Sequence, residues 1–223
     1  MEIAPNVYEI KHAVSNSFLL FDGNKLILID AGMSPAAKHI LDYIEKLGYQ
    51  PTDLKSILIT HADTDHVRGL PTLIEKCGAS VATSDIEAQA LADGKPSRPL
   101  KLRGLLKLLF GLVGKLIKFP KLQVDEILQP GQVLPILGGL EVLATPGHTP
   151  DHISFYLRQV GVLFAGDSLR VKAGELIVSH GMNTWDEGLA VKSARLQAQL
   201  KPKIVCVGHG ATEFEADDKI PKQ

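Results

Sequence analysis

The stretch ILITHADTDHVRG sets His61, Asp63, Asp65, His66 and Arg68 directly behind a run of branched apolar residues. Ile57, Leu58 and Ile59 read as a short buried strand, and Thr60 continues the β-favouring run. The two histidines and two aspartates behind it all carry lone pairs suited to a hard or borderline cation, at a strand-end spacing that can converge them on one point. Four further segments follow the same plan of an apolar strand and then a turn holding a ligand-type side chain. They are LILIDAG with Asp30, VLATPGH with His148, VLFAGD with Asp167 and IVCVGHG with His209. Sheets are rigid enough to hold ligands to the tolerance a metal demands, and the adjoining glycines permit tight turns and close backbone approach. One such loop is weak evidence; recurrence along the chain points to metal chemistry.

These strand ends need a scaffold of sheets and helices. SFLLF and KLILID flank DGN, a hairpin signal. SPAAKHILDYIEKLG reads as a helix, with Ser34 as N-cap, Pro35 in the first turn, apolar residues at helical spacing and Gly48 as the stop. LPTLIEKCG repeats that plan, SVATS reads as a strand, and DIEAQALADG follows it. In the second half LEVLATPG, HISFYLR, VGVLFAGD and KIVCVGHG read as strands. TWDEGLAVKSARLQAQL reads as a helix with Thr184 and Glu187 spaced as a capping box. Hairpin-paired strands interleaved with helices predict two mixed sheets packed face to face with helices outside.

Composition narrows the function classes. The chain has 223 residues, a net charge of −1 and 45% hydrophobic residues, as in an ordinary globular protein. That near-neutral balance makes no case for nucleic acid. Cys77 and Cys206 stand far apart and outside any CxxC pattern, which argues against a disulfide staple and for a reducing compartment. The opening residues show no secretory signal, and no apolar run reaches the roughly 18 to 20 residues of a spanning helix, so the expected location is the cytoplasm.

In the order and chemistry of its five strand-end motifs the sequence resembles the metallo-β-lactamase-fold hydrolase superfamily over nearly the whole chain. The hallmark there is a His-x-His-x-Asp-His loop followed by a Gly-His turn, a bridging Asp and a final His. The resemblance implies a single domain over residues 1–223, built as an αββα sandwich, with up to two metals between the sheet edges. It assigns His61, Asp63 and His148 to one metal and Asp65, His66 and His209 to the second, with Asp167 bridging both. Asp30 matches a motif that supports the site by hydrogen bonding, and His152 is a candidate for a similar role, either orienting His148 or packing in the following strand. Zinc is the first expectation for the two divalent ions.

One position departs from the hallmark, since Asp63 stands where the second histidine is usual. An oxygen ligand still coordinates, and the harder site also suits manganese or iron. With two divalent cations, a hydroxide between them and the carboxylates of Asp63, Asp65 and Asp167, the charges sum to zero, one unit below the usual set. A more neutral centre is expected to be a weaker Lewis acid and to attract polyanions less.

Between Gly94 and Val124 there is no acidic residue, but Lys95, Arg98, Lys101, Arg103, Lys107, Lys115, Lys118 and Lys121 all fall there. Residues 95–123 read as an amphipathic helical insert with a wide apolar face and a basic edge. Three roles compete for it: plain core packing, a lid or homodimer contact, and a peripheral membrane contact. As a lid it would bring Leu109 and Leu116 to the substrate, and Arg170 is a further candidate substrate contact.

The function expected from the resemblance is hydrolysis of an ester, lactone or thioester carbonyl in a partly apolar small molecule. The nucleophile would be a hydroxide held between two metals and oriented by Asp65 and Asp167. A glutathione thioesterase would carry a C-terminal helical extension, whereas this sequence stops shortly after His209. A processing nuclease would need a phosphate-binding exosite, and a secreted β-lactamase a signal peptide. Two other readings are a flavodiiron-like redox protein working with a partner, and a membrane- or partner-binding protein with structural metals.

Overall fold

The computed structural model describes residues 1–98 and 118–221. Its first sheet has seven strands in sequence order: β1 (Glu2–Ala4), β2 (Val7–Lys11), β3 (Asn16–Asp22), β4 (Lys25–Ile29), β5 (Leu54–Leu58), β6 (Ser80–Thr83) and β7 (Glu126–Ile127). β1 to β4 pair antiparallel and β4 to β7 parallel. The second sheet uses β8 (Val133–Leu134), β9 (Leu140–Ala144), β10 (Ile153–Leu157), β11 (Val162–Gly166), β14 (Ile204–Val207) and β15 (Glu213–Phe214), ordered β15-β14-β11-β10-β9-β8. Here only β11 and β14 run parallel. β12 (Leu169–Lys172) and β13 (Glu175–Val178) form a separate ribbon.

Alternation along each strand builds the layers. Phe18, Leu20, Ile27 and Ile29 of the first sheet point toward Val142, Phe155, Val162 and Phe164 of the second, forming the central core. The Phe18 and Phe164 rings lie 5.4 Å apart. Leu19, Leu26, Leu28 and Ile57 point the other way, onto Ile40 and Ile44 of α1 (Ser34–Lys46) and Leu70 and Leu73 of α3 (Leu70–Cys77). Leu163, Ala165, Val205 and Val207 likewise meet Ala194 and Ala198 of α5 (Glu187–Gln199). Burial on both faces explains why these strands read as continuous apolar runs and not as alternating ones. Each fully buried large apolar side chain contributes about 1.5–3 kcal/mol, so the inter-sheet core holds the scaffold rigid beneath the loops. The result is the expected α+β sandwich of two mixed sheets flanked by helices, with α2 (Thr64–Val67) following β5 and α4 (Asp85–Asp93) following β6.

Two helix starts differ from the sequence expectation. Met33, not Ser34, is the N-cap of α1, and the Ser34 hydroxyl instead reaches the Arg68 carbonyl. At α5 the cap is Asp186, whose Oδ1 accepts from the Leu189 amide at 2.9 Å. Thr184 is drawn away because its hydroxyl bonds Ser179 Oγ at 2.8 Å, and Glu187 accepts from the Gly181 amide. Most of the insert, with Leu109 and Leu116, lies outside the described residues. Its described C-terminal end returns beside α4, where the Leu122 amide donates to the Leu91 carbonyl, and just past it the Asp125 amide donates to the Val81 carbonyl of β6. Among the described residues no helix is long and apolar enough to cross a membrane.

Candidate metal centre

The His61–His66 loop leaves β5 and is fixed from below by Asp30. Asp30, held at φ 60° just past β4, accepts from the Thr60 amide at 2.9 Å and from the Thr60 hydroxyl at 2.8 Å. The Thr60 hydroxyl in turn contacts His61 Nδ1 at 3.0 Å, and Asp30 Oδ2 lies 2.8 Å from His66 Nδ1. One carboxylate thus engages the Nδ1 side of two imidazoles, directly or through Thr60, and turns both Nε2 atoms to the same side. Asp63 sits at the N-cap of α2, with Asp65 and His66 in its first turn.

The second sheet supplies the rest. His148, in the turn after β9, bonds Ser179 Oγ through Nδ1 at 3.1 Å, and Ser179 is the partner of Thr184. Asp167 follows β11, and its amide donates to His152 Nε2 at 3.1 Å, while His152 Nδ1 meets Thr145 Oγ1 at 2.8 Å. His152 therefore braces Asp167 and does not hydrogen-bond His148. His209 follows β14 and bonds the Val14 carbonyl through Nδ1 at 2.8 Å. Asn16 at the start of β3 pins this turn across the sheet gap, donating through Nδ2 to the carbonyls of Val207 and Gly210. Gly208 is required here, because a Cβ at that position would stand 2.2 Å from Asp167 Oδ1.

All seven ligand-type residues come together. Three groupings bring one donor atom from each member within 4.8 Å of the others: His61, Asp63 and His148; Asp65, His66 and His209; and His61, His66 and Asp167. Asp167 spans the two sides, with Oδ1 3.4 Å from His66 Nε2 and Oδ2 3.6 Å from His148 Nε2 and 3.2 Å from His209 Nε2. Two ligands about 2.0–2.1 Å from one tetrahedral metal sit roughly 3.3 Å apart, so these spacings fit divalent cations. His61 Nε2, His66 Nε2 and Asp167 Oδ1 are buried and lack any hydrogen-bond partner. Buried polar atoms are almost always paired, so three orphans at one point mark a cation site. Above them opens a cleft of about 260 Å³ lined by Asp63, Asp65, Arg98, Arg170, Asn183 and His209, among others.

The electrostatics agree. Burial, with His66 and His148 nearby, holds His61 well below the usual histidine range, so its lone pair is free. Burial opposes charge on His66 too, but Asp30 and Asp167 outweigh it and raise its pKa well above 6.5. His209 is likewise raised to about 9, because hydrogen bonds to Asp167 and Asp65 overcome burial. Asp167 is held well below the carboxylate range despite burial, by His209 and His66. In the metal-free chain, protons on His66 and His209 balance carboxylates that a metal would otherwise neutralise.

Two residues of the site are absent from the sequence expectation. Glu87 of α4 is fully buried and clamps the loops of both sheets, accepting from the Ala62 amide at 2.9 Å and the Thr149 hydroxyl at 2.6 Å. Arg98, only 4% exposed, donates to Asp63 Oδ2 at 2.6 Å and approaches His148 Nε2 at 3.3 Å. It corrects the expected neutral charge count, since a buried guanidinium stands on the very aspartate that departs from the hallmark. Arg170 lies in the cleft and bonds Asp167 Oδ2 at 3.0 Å. His39 and His180 are exposed and His12 pairs with His39, away from the cleft.

The sequence pattern described as Metallo-beta-lactamase superfamily matches residues 11–209. The uncharacterized protein YobT of Bacillus subtilis is 30% identical over 87% of this chain and 82% of its own length. The probable metallo-hydrolase YflN of the same organism is 28% identical over 94% of this chain and 85% of its own. The crystal structure of the metallo-beta-lactamase family protein TTHA1429 from Thermus thermophilus superposes with a TM-score of 0.74 over 98% of this chain and 78% of that one, at 24% identity, a likeness of fold alone. Nothing in the fold, the described residues or these relatives supports the redox or the membrane-binding reading. Sheet order, converging His/Asp clusters and the pattern match together place the chain in the metallo-β-lactamase superfamily, as a metal-dependent hydrolase.

Proposed function

We propose that the protein hydrolyses an ester, lactone or thioester of a small, partly apolar molecule, using two divalent ions, zinc first among them. The observation that carries this reading is the set of three buried, unpartnered atoms on His61, His66 and Asp167 at the floor of an open cleft. One ion would be held by His61, Asp63 and His148, the other by Asp65, His66 and His209, with Asp167 shared. Bound there, divalent metals supply Lewis acidity toward a carbonyl oxygen and activate water at neutral pH. Asp65 and Asp167 accept hydrogen bonds from the attacking water and orient it, and Asp30 keeps the imidazoles of His61 and His66 in the productive tautomers. Arg170, steadied by Asp167, offers a guanidinium to the substrate's polar end. Thiol nucleophiles are not favoured: both cysteines are buried, and burial pushes the Cys77 thiol up to about 11.

The test is elemental analysis followed by an ester, lactone and thioester panel on the same sample. Two metals per chain and turnover of at least one carbonyl class, lost on chelation and restored by metal, is the expected result. A metal-replete protein with one ion, or one inert toward all three classes, would overturn the reading.

Metal binding should also release protons. His209 holds a proton up to pH about 9, so metal affinity should rise between pH 6.5 and 9, with proton release visible by calorimetry in buffers of different ionisation enthalpy. In metal-free protein the sign is opposite. Because the folded pKa of His209 is raised, its stabilising contribution is complete below about 6.5, the unfolded value, and is lost as pH climbs through about 9. Metal affinity that is flat across this window would refute the assigned role of His209.

A further inference from the structure

The geometry points to Asp63 and Arg98 as one unit that does the work of a single histidine, with Arg98 a positioning residue for the first metal group; this rests on the metal reading above. Asp63 Oδ2 lies 3.0 Å from His148 Nε2 and 3.8 Å from His61 Nε2, which is ligand spacing. A carboxylate here adds a negative charge that a neutral imidazole would not. Arg98 Nη2 takes the same oxygen at 2.6 Å, and the Arg98 side chain is 3% exposed against 20% for Asp63. The guanidinium is thus more deeply buried than its partner. A buried, permanently charged group needs a fixed counter-ion, and Asp63 is the carboxylate that the structure gives it. The pair carries no net charge, as a neutral histidine would. The centre therefore keeps the charge of a three-histidine loop, and its expected weakness toward anionic groups disappears.

Arg98 also stands beside His148. In the metal-free chain His148 Nε2 donates to Asp63 Oδ2 at 3.0 Å, and Arg98 Nη2 donates to that same carboxylate oxygen and lies 3.3 Å from Nε2. A metal taken up by Asp63 and His148 would displace the proton between them, and Arg98, which can only donate, would keep its bond to Asp63. Asp63, at the N-cap of a four-residue helix and with no capping bond of its own, has Arg98 to hold its rotamer. The chain leading to Arg98 leaves α4, the helix whose Glu87 clamps the loops carrying His61 and His148. One structural segment therefore sets both the position and the charge of the first metal group.

The test is a double-mutant cycle read first without metal. Asp63→His alone, although it restores the common hallmark, leaves Arg98 buried and unpaired. It should lower the melting temperature of chelator-stripped protein by about 8 °C or more. It should also weaken the first of the two bound metals at least about tenfold, read by cobalt absorption and competition with a zinc indicator. Arg98→Met combined with Asp63→His should recover the melting temperature to within about 3 °C and metal affinity to within about threefold, a non-additive rescue. Asp63→Asn, alone and with Arg98→Met, supplies the same cycle with an isosteric amide should the histidine variant fail to fold. Additive effects in metal-free protein, in either cycle, would overturn the coupling. Wild-type protein that binds no metal would instead overturn the metal reading, and the metal-free cycle would still report on the pair.

Discussion

Replacing Asp167 by alanine is expected to abolish turnover and to leave fewer than one tightly held metal per chain. Asp167 is the residue that approaches histidines of both groups, with Oδ1 near His66 and Oδ2 near His148 and His209. It is 2% exposed and lines the floor of the cleft, so its oxygens are turned into the site and not to bulk solvent. It also carries the negative charge that holds protons on His66 and His209 in the metal-free chain. Its removal leaves a cluster of imidazoles with too little countercharge and each metal group short of one oxygen. The loss in kcat/KM should be roughly a thousandfold or more, about 4 kcal/mol of transition-state stabilisation. Elemental analysis after gel filtration, with kinetics on the best substrate of the panel, decides it. A variant that keeps two metals and normal rates would show that Asp167 does not bridge. Asp167→Asn separates charge from shape: with one carbonyl oxygen retained, it should keep more metal than the alanine variant and still lose most activity.

How much of this could be read from the chain depends on what local sequence encodes. The strand ends were legible because each is a contiguous apolar run closed by a turn and a ligand-type side chain, so Asp30, His61, His148, Asp167 and His209 announce themselves in isolation. The two-sheet architecture followed from the same runs, since strands buried on both faces have no polar alternation to confuse them. Helix caps were less legible. Thr184 has the chemistry and spacing of a cap, but its hydroxyl is claimed by Ser179 in support of His148, and the cap falls to Asp186. Tertiary demand overrode a local rule at a residue tied to the site, which is where such conflicts are expected.

Arg98 was hidden for a different reason. In sequence it is one of a run of basic residues with no acid nearby, and its partner Asp63 lies 35 positions away. Charge counted over the four ligand loops alone therefore came out one unit too low. The signal that could have found it is indirect: an uncompensated carboxylate substituted into a metal loop calls for a cation elsewhere. Asn16 was hidden in the same way, because its partners at Val207 and Gly210 come from the far end of the chain. Contacts of that separation leave no periodicity to read. They nevertheless join the first sheet to the His209 turn, the last ligand-type position in the sequence.

Glu87→Ala is expected to show that the site is assembled by a buried brace outside its ligand set. Glu87 stands on α4 with both oxygens engaged, one by the Ala62 amide between His61 and Asp63, the other by the hydroxyl of Thr149 beside His148. Burial pushes its carboxyl up, and the bonds from Thr149 and Ala62 counter that push, so the brace depends on donors arriving from two different sheets. Alanine leaves a buried amide and a buried hydroxyl without acceptors, each costing about 1–3 kcal/mol. At roughly 2–4 °C per kcal/mol for a chain of this length, the melting temperature of metal-free protein should fall by about 10 °C. Because both loops belong to the His61, Asp63 and His148 group, the metal held there should weaken by about a hundredfold, while the Asp65, His66 and His209 group, tied instead to Asp30 and Val14, should change much less. Glu87→Gln keeps one acceptor and can donate to Thr149, so it should fall between the two. Calorimetric titration of stripped protein resolves the two binding steps. Equal weakening of both steps would assign Glu87 to general stability, whereas a selective loss in one step follows only if this side chain sets the distance between the two ligand loops.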